Sequence, residues 1–274
     1  ARFLWQADSW NNKDKSRVFS PDSLNIVLLD EMNLARVEYY FADFLSKLEQ
    51  RRGKDLNDPE QRKAVELFLE CGAGLGGQNL CVGTNTFFIG TMNEDETTQM
   101  LSDKVIDRSN LLRFGRPHDT QAHPNKGAFL KACADRAKVT LPLWEAWSKP
   151  KVTHQHEYQE LLVQLNDALD NVGRPFAYRV QQSIDAYMAA YPDQNEWRKA
   201  FADQIEMKVL PKLNGLEIAS SSDFSDTANT ILRIAKELND EELQKEFKRA
   251  SNVENTFFRW RGVMRKDNPL ESKQ

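Results

Sequence analysis

The stretch that decides the fold is SLNIVLLDEMNLARVEYYFADFLSKLE, residues 23–49. It begins with an apolar run, residues 24–29, that predicts a strand buried on both faces, as in a parallel sheet. The run ends in two adjacent carboxylates, Asp30 and Glu31. Apolar residues then recur at helical spacing from residue 34 to residue 48. A strand, an acidic turn and an amphipathic helix in this order predict an α/β fold with a parallel sheet.

Two further apolar runs in the first part of the chain predict strands. The run TFFIGT, residues 86–91, predicts a second buried strand, and residues 111–114 predict a third, which Gly115 and Pro117 end. Residues 51–85 predict a polar excursion followed by a glycine-rich hairpin.

Only helical patterns follow residue 116. The predicted helices span residues 127–139, 157–172, 179–190, 194–209 and 226–238. We therefore expect three regions, which are an α/β region at 1–116 with its hairpin insertion at about 51–85, a helical lid at 117–216 and a helical C-terminal extension at 217–274.

Composition excludes several classes of protein. The chain has 274 residues, of which 40% are hydrophobic and 28% charged, and its net charge is −4, which is ordinary for a soluble globular protein. It contains no basic stripe, no apolar run of transmembrane length and no signal-peptide pattern. The three cysteines lack metal-ligand spacing. We expect a cytoplasmic protein that does not enter a membrane, and the uncapped opening residues suggest a fragment.

Polar side chains at the ends of the first two predicted strands point to chemistry. The carboxyl ends of parallel strands border the ligand crevice of a sheet. There, Asp30 could hold Mg²⁺ through water, and Glu31 could orient an attacking water. Asn93, just past the second strand, could bind that water or a phosphate oxygen. The structural alternatives are that Asp30 and Glu31 form an acidic turn in solvent and that Asn93 caps residues 94–98.

A third candidate is Arg108, which follows a short predicted helix opened by Asp103 and containing Asp107. A guanidinium at a domain edge can neutralise the charge that develops on a phosphoryl group in a neighbouring subunit. The alternative is a surface ion pair with Asp103 or Asp107.

In this order and spacing, the motifs resemble those of the AAA+ ATPases. The resemblance is to the branch that holds the McrB-type restriction subunits, the MoxR proteins and dynein, and it covers roughly residues 24–216. It rests on LLDEMNLARVEYYFADFLSKLE, FFIGTMNEDETTQMLSDKVIDRSN and DQIEMKVLPKLNGLE, at residues 28–49, 87–110 and 203–217.

The resemblance implies a role for each candidate. Asp30 and Glu31 would be the Walker B carboxylates, Asp30 for Mg²⁺ and Glu31 for the water. Asn93 would be sensor 1, and Arg108 the arginine finger, with Arg113 as a second choice.

In the helical lid, the resemblance implies a sensor 2 arginine, for which Arg179 is the first choice and Arg174 the second; an exposed helical arginine is the alternative for Arg179. The family would also imply a homo-oligomeric ring, hexameric by analogy. The ring would hydrolyse ATP, in preference to GTP, with Mg²⁺, and would remodel a protein or a DNA effector. DNA restriction or phage defence is the setting that family analogy suggests.

Two features depart from the family pattern. After Met92 the chain reads NEDETT, so a preference for GTP does not carry over. No Walker A motif is present either, because the glycine cluster at residues 72–77 lacks the Lys-Ser/Thr of a phosphate-binding loop and predicts a hairpin turn instead.

By the family's strand order, the central strand would lie between residues 86–91 and 111–114. We therefore expect either that a separate polypeptide segment with the P-loop supplies this strand, or that the sheet departs from the AAA+ order. The chain alone should bind nucleotide weakly, and its α/β region alone should not be stable. A non-catalytic assembly or adaptor module is the alternative function.

Overall fold

A computed structural model describes Leu4, Ala7 and residues 22–70, 76–93, 99, 101–114, 139–150, 155–218 and 222–263. These residues form two compact units. The first contains the described residues up to Val105 together with 139–146, and the second contains 106–114 and the described residues from Trp147 onward. Gly72, Gly74 and most of the helix predicted at 127–139 lie outside the described residues.

The first part of the chain alternates strands and short helices, as an α/β fold does. The 3₁₀ turn Met32–Leu34 separates the first strand from the first helix. In chain order the elements are β1 (Asn25–Leu29), α1 (Val37–Tyr40), α2 (Ala42–Gln50), α3 (Pro59–Ala64), β2 (Leu67–Glu70), β3 (Gly77–Leu80), β4 (Thr86–Gly90), α4 (Asp103–Ile106) and α5 (Leu141–Ser148).

The sheet of the first unit pairs the two strands that the sequence predicts to be buried. β1 and β4 run parallel, from Asn25 opposite Thr86 to Leu29 opposite Gly90. A parallel pair of strands, as expected for an α/β fold, is thus confirmed. One face of the pair packs against aromatic side chains of the segment that contains α1 and α2, since the ring centroids of Phe88 and Phe41 lie 5.2 Å apart.

The other face of this sheet is largely exposed, so the prediction of a strand buried on both faces is wrong. Ile26 and Leu28 each remain 60% exposed, and Ile89 remains 48% exposed. Trp144 contacts the same face at Phe87, with ring centroids 5.1 Å apart. An apolar run indicates that burial of both faces of a strand would be favourable. Whether both faces are buried depends on other elements of the fold that cover the sheet.

The hairpin predicted within residues 51–85 is confirmed. β2 and β3 pair antiparallel, from Leu67 opposite Leu80 to Glu70 opposite Gly77. The sequence analysis missed α3, which begins at a strong cap: the Asp58 side chain accepts the backbone N–H groups of two residues that follow it, and Pro59 occupies the first turn.

The strand predicted at residues 111–114 does not form. A strand requires a paired edge, and the backbone N–H of Leu111 instead donates to the carbonyl of Met207, over 3.4 Å. Leu112 and Phe114 are exposed, at 65% and 90%. The residues of the expected third strand are therefore without regular secondary structure and belong to the second unit.

The second unit is helical, and the helices predicted within the described residues form there. They are α6 (Gln155–Asn171), α7 (Tyr178–Ala190), α8 (Trp197–Gln204) and α9 (Ser222–Glu237), and a further helix, α10 (Glu241–Ala250), follows them. A π turn, Ile205–Val209, and a 3₁₀ turn, Leu210–Leu213, extend α8.

One apolar core joins these helices with the C-terminal segment. Its fully buried members include Leu165, Ile184, Phe201, Phe247 and Trp260. Residues 155–218 and 222–263 share this core, so the chain has a mixed α/β composition with a helical C-terminal region. Among the described residues, no helix combines the length and apolar character needed to cross a membrane.

Candidate functional site

The strongest candidate site lies where β1 and β4 end, at the same edge of the sheet. Because the strands are parallel and in register, Asp30 follows β1 next to Thr91, which follows β4. Both side chains are exposed. Glu31 adopts the left-handed conformation, with φ 49° and ψ 45°, which residues other than glycine rarely adopt.

Thr91 connects the two carboxylate-bearing residues. Its hydroxyl donates to the carboxylate of Asp30 and accepts the backbone N–H of Glu31 at 3.0 Å. The backbone continues the pairing of the strands, because Thr91 N–H donates to Leu29 O and Met32 N–H donates to Thr91 O, both at 2.9 Å. Thr91 therefore holds the acidic turn against the end of β4.

Asn33 provides a second link between the two strand ends. Its side chain is 2% exposed, and its Nδ2 donates to the backbone carbonyl of Asn93 at 2.8 Å. The backbone carbonyl of Asn33 accepts the backbone N–H of Gln99 at 3.0 Å. The structure thus brings the Asn93 segment beside the carboxylates, as the sequence predicts, through a residue that the sequence analysis did not select.

Gly90, the last residue of β4, packs closely against the Met32 side chain of this turn. A Cβ at Gly90 would overlap the sulfur of Met32. The Tyr40 hydroxyl also donates to Met32 O at 2.7 Å, so α1 helps to hold the turn. Backbone, glycine and tyrosine together fix the loop that carries Glu31.

The four candidate arginines all lie in the second unit. Arg108 and Arg113 are half-buried and flank residues 109–112, which have no regular secondary structure. Arg179 is exposed in the first turn of α7, and Arg174 is half-buried just after α6. The structure therefore brings together Asp30, Glu31 and the Asn93 segment in one unit and assigns the arginines to the other.

The sequence analysis missed Thr91 and Asn33. One signal could have found them, because the two strands are followed by the similar tetrapeptides DEMN and GTMN, at residues 30–33 and 90–93. Similar turns after neighbouring parallel strands meet at one edge, so the polar residues of one can bond to the backbone of the other.

The residues at this edge suit Mg²⁺. Mg²⁺ takes oxygen ligands and usually binds through one or two carboxylates, with water and phosphate completing its shell. Asp30, Glu31 and the Thr91 hydroxyl supply such oxygens. Across the part of the chain that the structure describes, no three His, Cys, Asp or Glu side chains come together as a self-contained metal site.

Among the residues that the structure describes, this edge shows no phosphate cradle. Phosphate loops use successive backbone N–H groups before a helix, and a lysine. Of the glycine cluster, Gly77 belongs to β3, where its backbone contacts the ring of Phe68, and the cluster sequence contains no lysine.

Comparison with protein families matches the helical part of the chain. A family described as a domain of unknown function (DUF8727) covers residues 138–243. These residues include α6 to α9 and Arg174 and Arg179, but not Asp30, Glu31 or Asn93. No curated protein and no solved structure matches the chain.

Proposed function

We propose that this chain is part of a nucleoside triphosphatase of the AAA+ type, from the branch of the McrB, MoxR and dynein-related proteins. One observation carries the proposal: parallel pairing of β1 and β4 sets Asp30 and Glu31 beside the end of β4, where Asn93 follows. The substrate is ATP in preference to GTP, and the protein acts as a homo-oligomeric ring that remodels a protein or DNA partner.

In this proposal Asp30, with the Thr91 hydroxyl beside it, holds Mg²⁺ through water, and the metal supplies charge stabilisation for the phosphates when bound. Glu31 orients a water and accepts its proton as the water oxygen bonds to the terminal phosphorus. The bond from that phosphorus to the bridging oxygen breaks, and the nucleoside diphosphate leaves. Arg108 of a neighbouring subunit neutralises the developing charge. The phosphate-binding loop comes from polypeptide outside residues 1–274.

Glu31→Gln tests the proposal in the assembly that contains this phosphate loop. Loss of the proton acceptor should lower the rate of hydrolysis by roughly 10²–10⁴, with nucleotide affinity nearly unchanged. Glu60→Gln is the matched control, because Glu60 is an exposed glutamate of α3 in the same unit. Hydrolysis within twofold of wild type in Glu31→Gln would remove Glu31 from the mechanism.

A mixing experiment tests Arg108 separately. Subunits with Arg108→Ala and subunits with Glu31→Gln should each be inactive alone. When mixed they should regain part of the activity, because some interfaces then contain one intact arginine and one intact glutamate. Rings that assemble but never regain activity would show that Arg108 does not act across a subunit boundary.

A non-catalytic assembly module is the second candidate, and one contact favours it. The Asp30 carboxylate already accepts the Thr91 hydroxyl, so the acidic turn has a structural role that needs no nucleotide. In that case Glu31→Gln would leave assembly intact, and wild-type rings would hydrolyse neither ATP nor GTP.

A further inference from the structure

The segment that follows α4 belongs to the helical unit by its contacts. Ile106 and Leu111 are buried, each 8% exposed. The Leu111 N–H donates to Met207 O in the π turn, over 3.4 Å. Further along, a Cβ at Gly262 would lie 2.6 Å from the carbonyl oxygen of Arg113, so the segment also runs close to the C-terminal backbone.

Two buried lysines hold this segment at Asp107. The Lys212 ammonium forms an ion pair with the Asp107 carboxylate, and Lys208 Nζ donates to the Asp107 backbone carbonyl at 3.4 Å. Lys208 is 2% exposed and Lys212 6% exposed. Lysine is almost never buried to this extent without a partner, and Asp107 provides a partner for both side chains.

The geometry of the helix places both lysines on one side. Lys208 lies in the π turn Ile205–Val209 and Lys212 in the 3₁₀ turn Leu210–Leu213, four residues further on. Met207, which directly precedes Lys208 in the sequence, accepts the Leu111 N–H. The segment is therefore attached on both sides of Arg108, by Asp107 before it and by Leu111 after it.

We propose that Asp107 is a positioning residue that fastens Arg108 to the helical unit, so that the position of this unit controls when Arg108 reaches the nucleotide of a neighbouring subunit. This inference rests on the proposed function. Catalytic groups must be placed closely, because a misplacement of about 1 Å can lower a rate roughly 10²-fold. Because Arg108 is attached to the helices, it moves when they move.

The first experiment tests the attachment without reference to hydrolysis. Amide hydrogen exchange is measured on residues 106–112 of the 274-residue chain, with Leu111 N–H as the reporter. Lys212→Met keeps the length of the side chain and removes its charge, and it should accelerate exchange in this segment at least tenfold. Lys199→Met is the control, because Lys199 pairs with Glu196 at the surface of the same unit.

Further variants keep this test decisive if Lys212→Met disturbs the fold. Exchange at Leu165, in the core of α6, reports whether the helical unit remains folded. Asp107→Asn should give the same local acceleration, and Lys212→Arg should restore slow exchange because it keeps the charge. Unchanged exchange at Leu111 in both Lys212→Met and Asp107→Asn, with a folded core, would overturn the proposal.

The second experiment measures hydrolysis in the assembled NTPase. Asp107→Asn should lower kcat at least tenfold and leave KM within about threefold, because the phosphate-binding residues are unaffected. Lys212→Arg should retain most of kcat, whereas Lys212→Met should lose it. A purely structural role would instead reduce the amount of folded assembly and leave kcat per assembled ring unchanged.

The outcomes separate this inference from the proposed function. If Arg108→Ala leaves kcat unchanged, the proposed role of Arg108 fails and the positioning role fails with it. If Arg108→Ala lowers kcat but Asp107→Asn does not, only the positioning role of Asp107 is refuted. Loss of kcat in both variants, with faster exchange at Leu111, supports the inference.

Discussion

Replacing Glu31 by glycine should remove the proposed chemistry without destabilising the fold. Glu31 adopts φ 49° and ψ 45°, in the left-handed region. An L-residue in that region is strained by about 1–2 kcal/mol, and glycine is not. Glycine also increases the freedom of the unfolded chain, which costs roughly 0.4–1 kcal/mol relative to alanine.

The strain that glycine relieves, minus the cost of its greater freedom in the unfolded chain, gives the expected difference in stability. The Glu31→Gly variant should be more stable than Glu31→Ala by about 1 kcal/mol, since both variants lack the carboxylate and only alanine keeps the strained Cβ. At a residue with negative φ the order is reversed, because glycine is then the less stable of the two.

Native-state hydrogen exchange of the β1 and β4 amides measures this difference, because it reports the opening free energy of the unit that contains Glu31. Asn239 is the control, since it is the second non-glycine residue with positive φ, at 57°, among the described residues. Asn239→Gly should change stability less, because asparagine tolerates the left-handed conformation. If Glu31→Gly were less stable than Glu31→Ala by 0.5 kcal/mol or more, which is about half of the expected difference, the strain argument would fail.

Three other substitutions test the fold and the site. Leu165→Ala, in the helical core with no exposure, should cost about 2–5 kcal/mol in urea unfolding. Asn33→Ala removes the bond to Asn93 O and should lower the opening free energy of β1 by roughly 1–3 kcal/mol in hydrogen exchange. Burial and the hydrogen bond to Asp185 raise the pKa of Tyr158. Below about pH 10, where the unfolded tyrosine is also protonated, its contribution is fully present, and it is lost as pH rises further. Urea midpoints should therefore fall less steeply above pH 10 in Tyr158→Phe than in wild type.

The sequence predicts the local elements well, because the spacing of apolar residues determines them. β1 starts within one residue of the predicted strand, and α6 covers all but the last residue of the helix predicted at 157–172. The helix predicted at 34–48 forms as two pieces, α1 and α2, which are separated at Phe41, where φ is −118° and ψ is 1°. No change of residue type marks this break, so it follows from packing rather than from propensity.

Contacts between residues that are distant in the sequence could not be predicted from it. Lys212 and Asp107 are 105 positions apart, and a lysine at a helical position is ordinarily expected in solvent. Their burial depends on the path of the segment after α4, which the analysis predicted as a strand. The same limit explains Thr91, whose role follows from the register of β1 and β4 rather than from its neighbours in the chain.

The two groups of candidate residues differ in what holds them. Asp30 and Glu31 are held by backbone pairing of parallel strands, by the Thr91 hydroxyl and by Asn33. These contacts lie within the first unit, where the Tyr40 hydroxyl of α1 adds a hydrogen bond to Met32 O.

Arg108, in contrast, lies in a segment whose contacts to the turns that follow α8 include the Asp107–Lys212 ion pair and the hydrogen bonds at Asp107 O and Leu111 N–H. Contacts to a helical unit transmit the movement of that unit to the segment, whereas a sheet edge moves as one piece with its strands. If the proposed hydrolysis is correct, the carboxylates therefore form the rigid part of the site and Arg108 the part that conformational change can bring to it or withdraw.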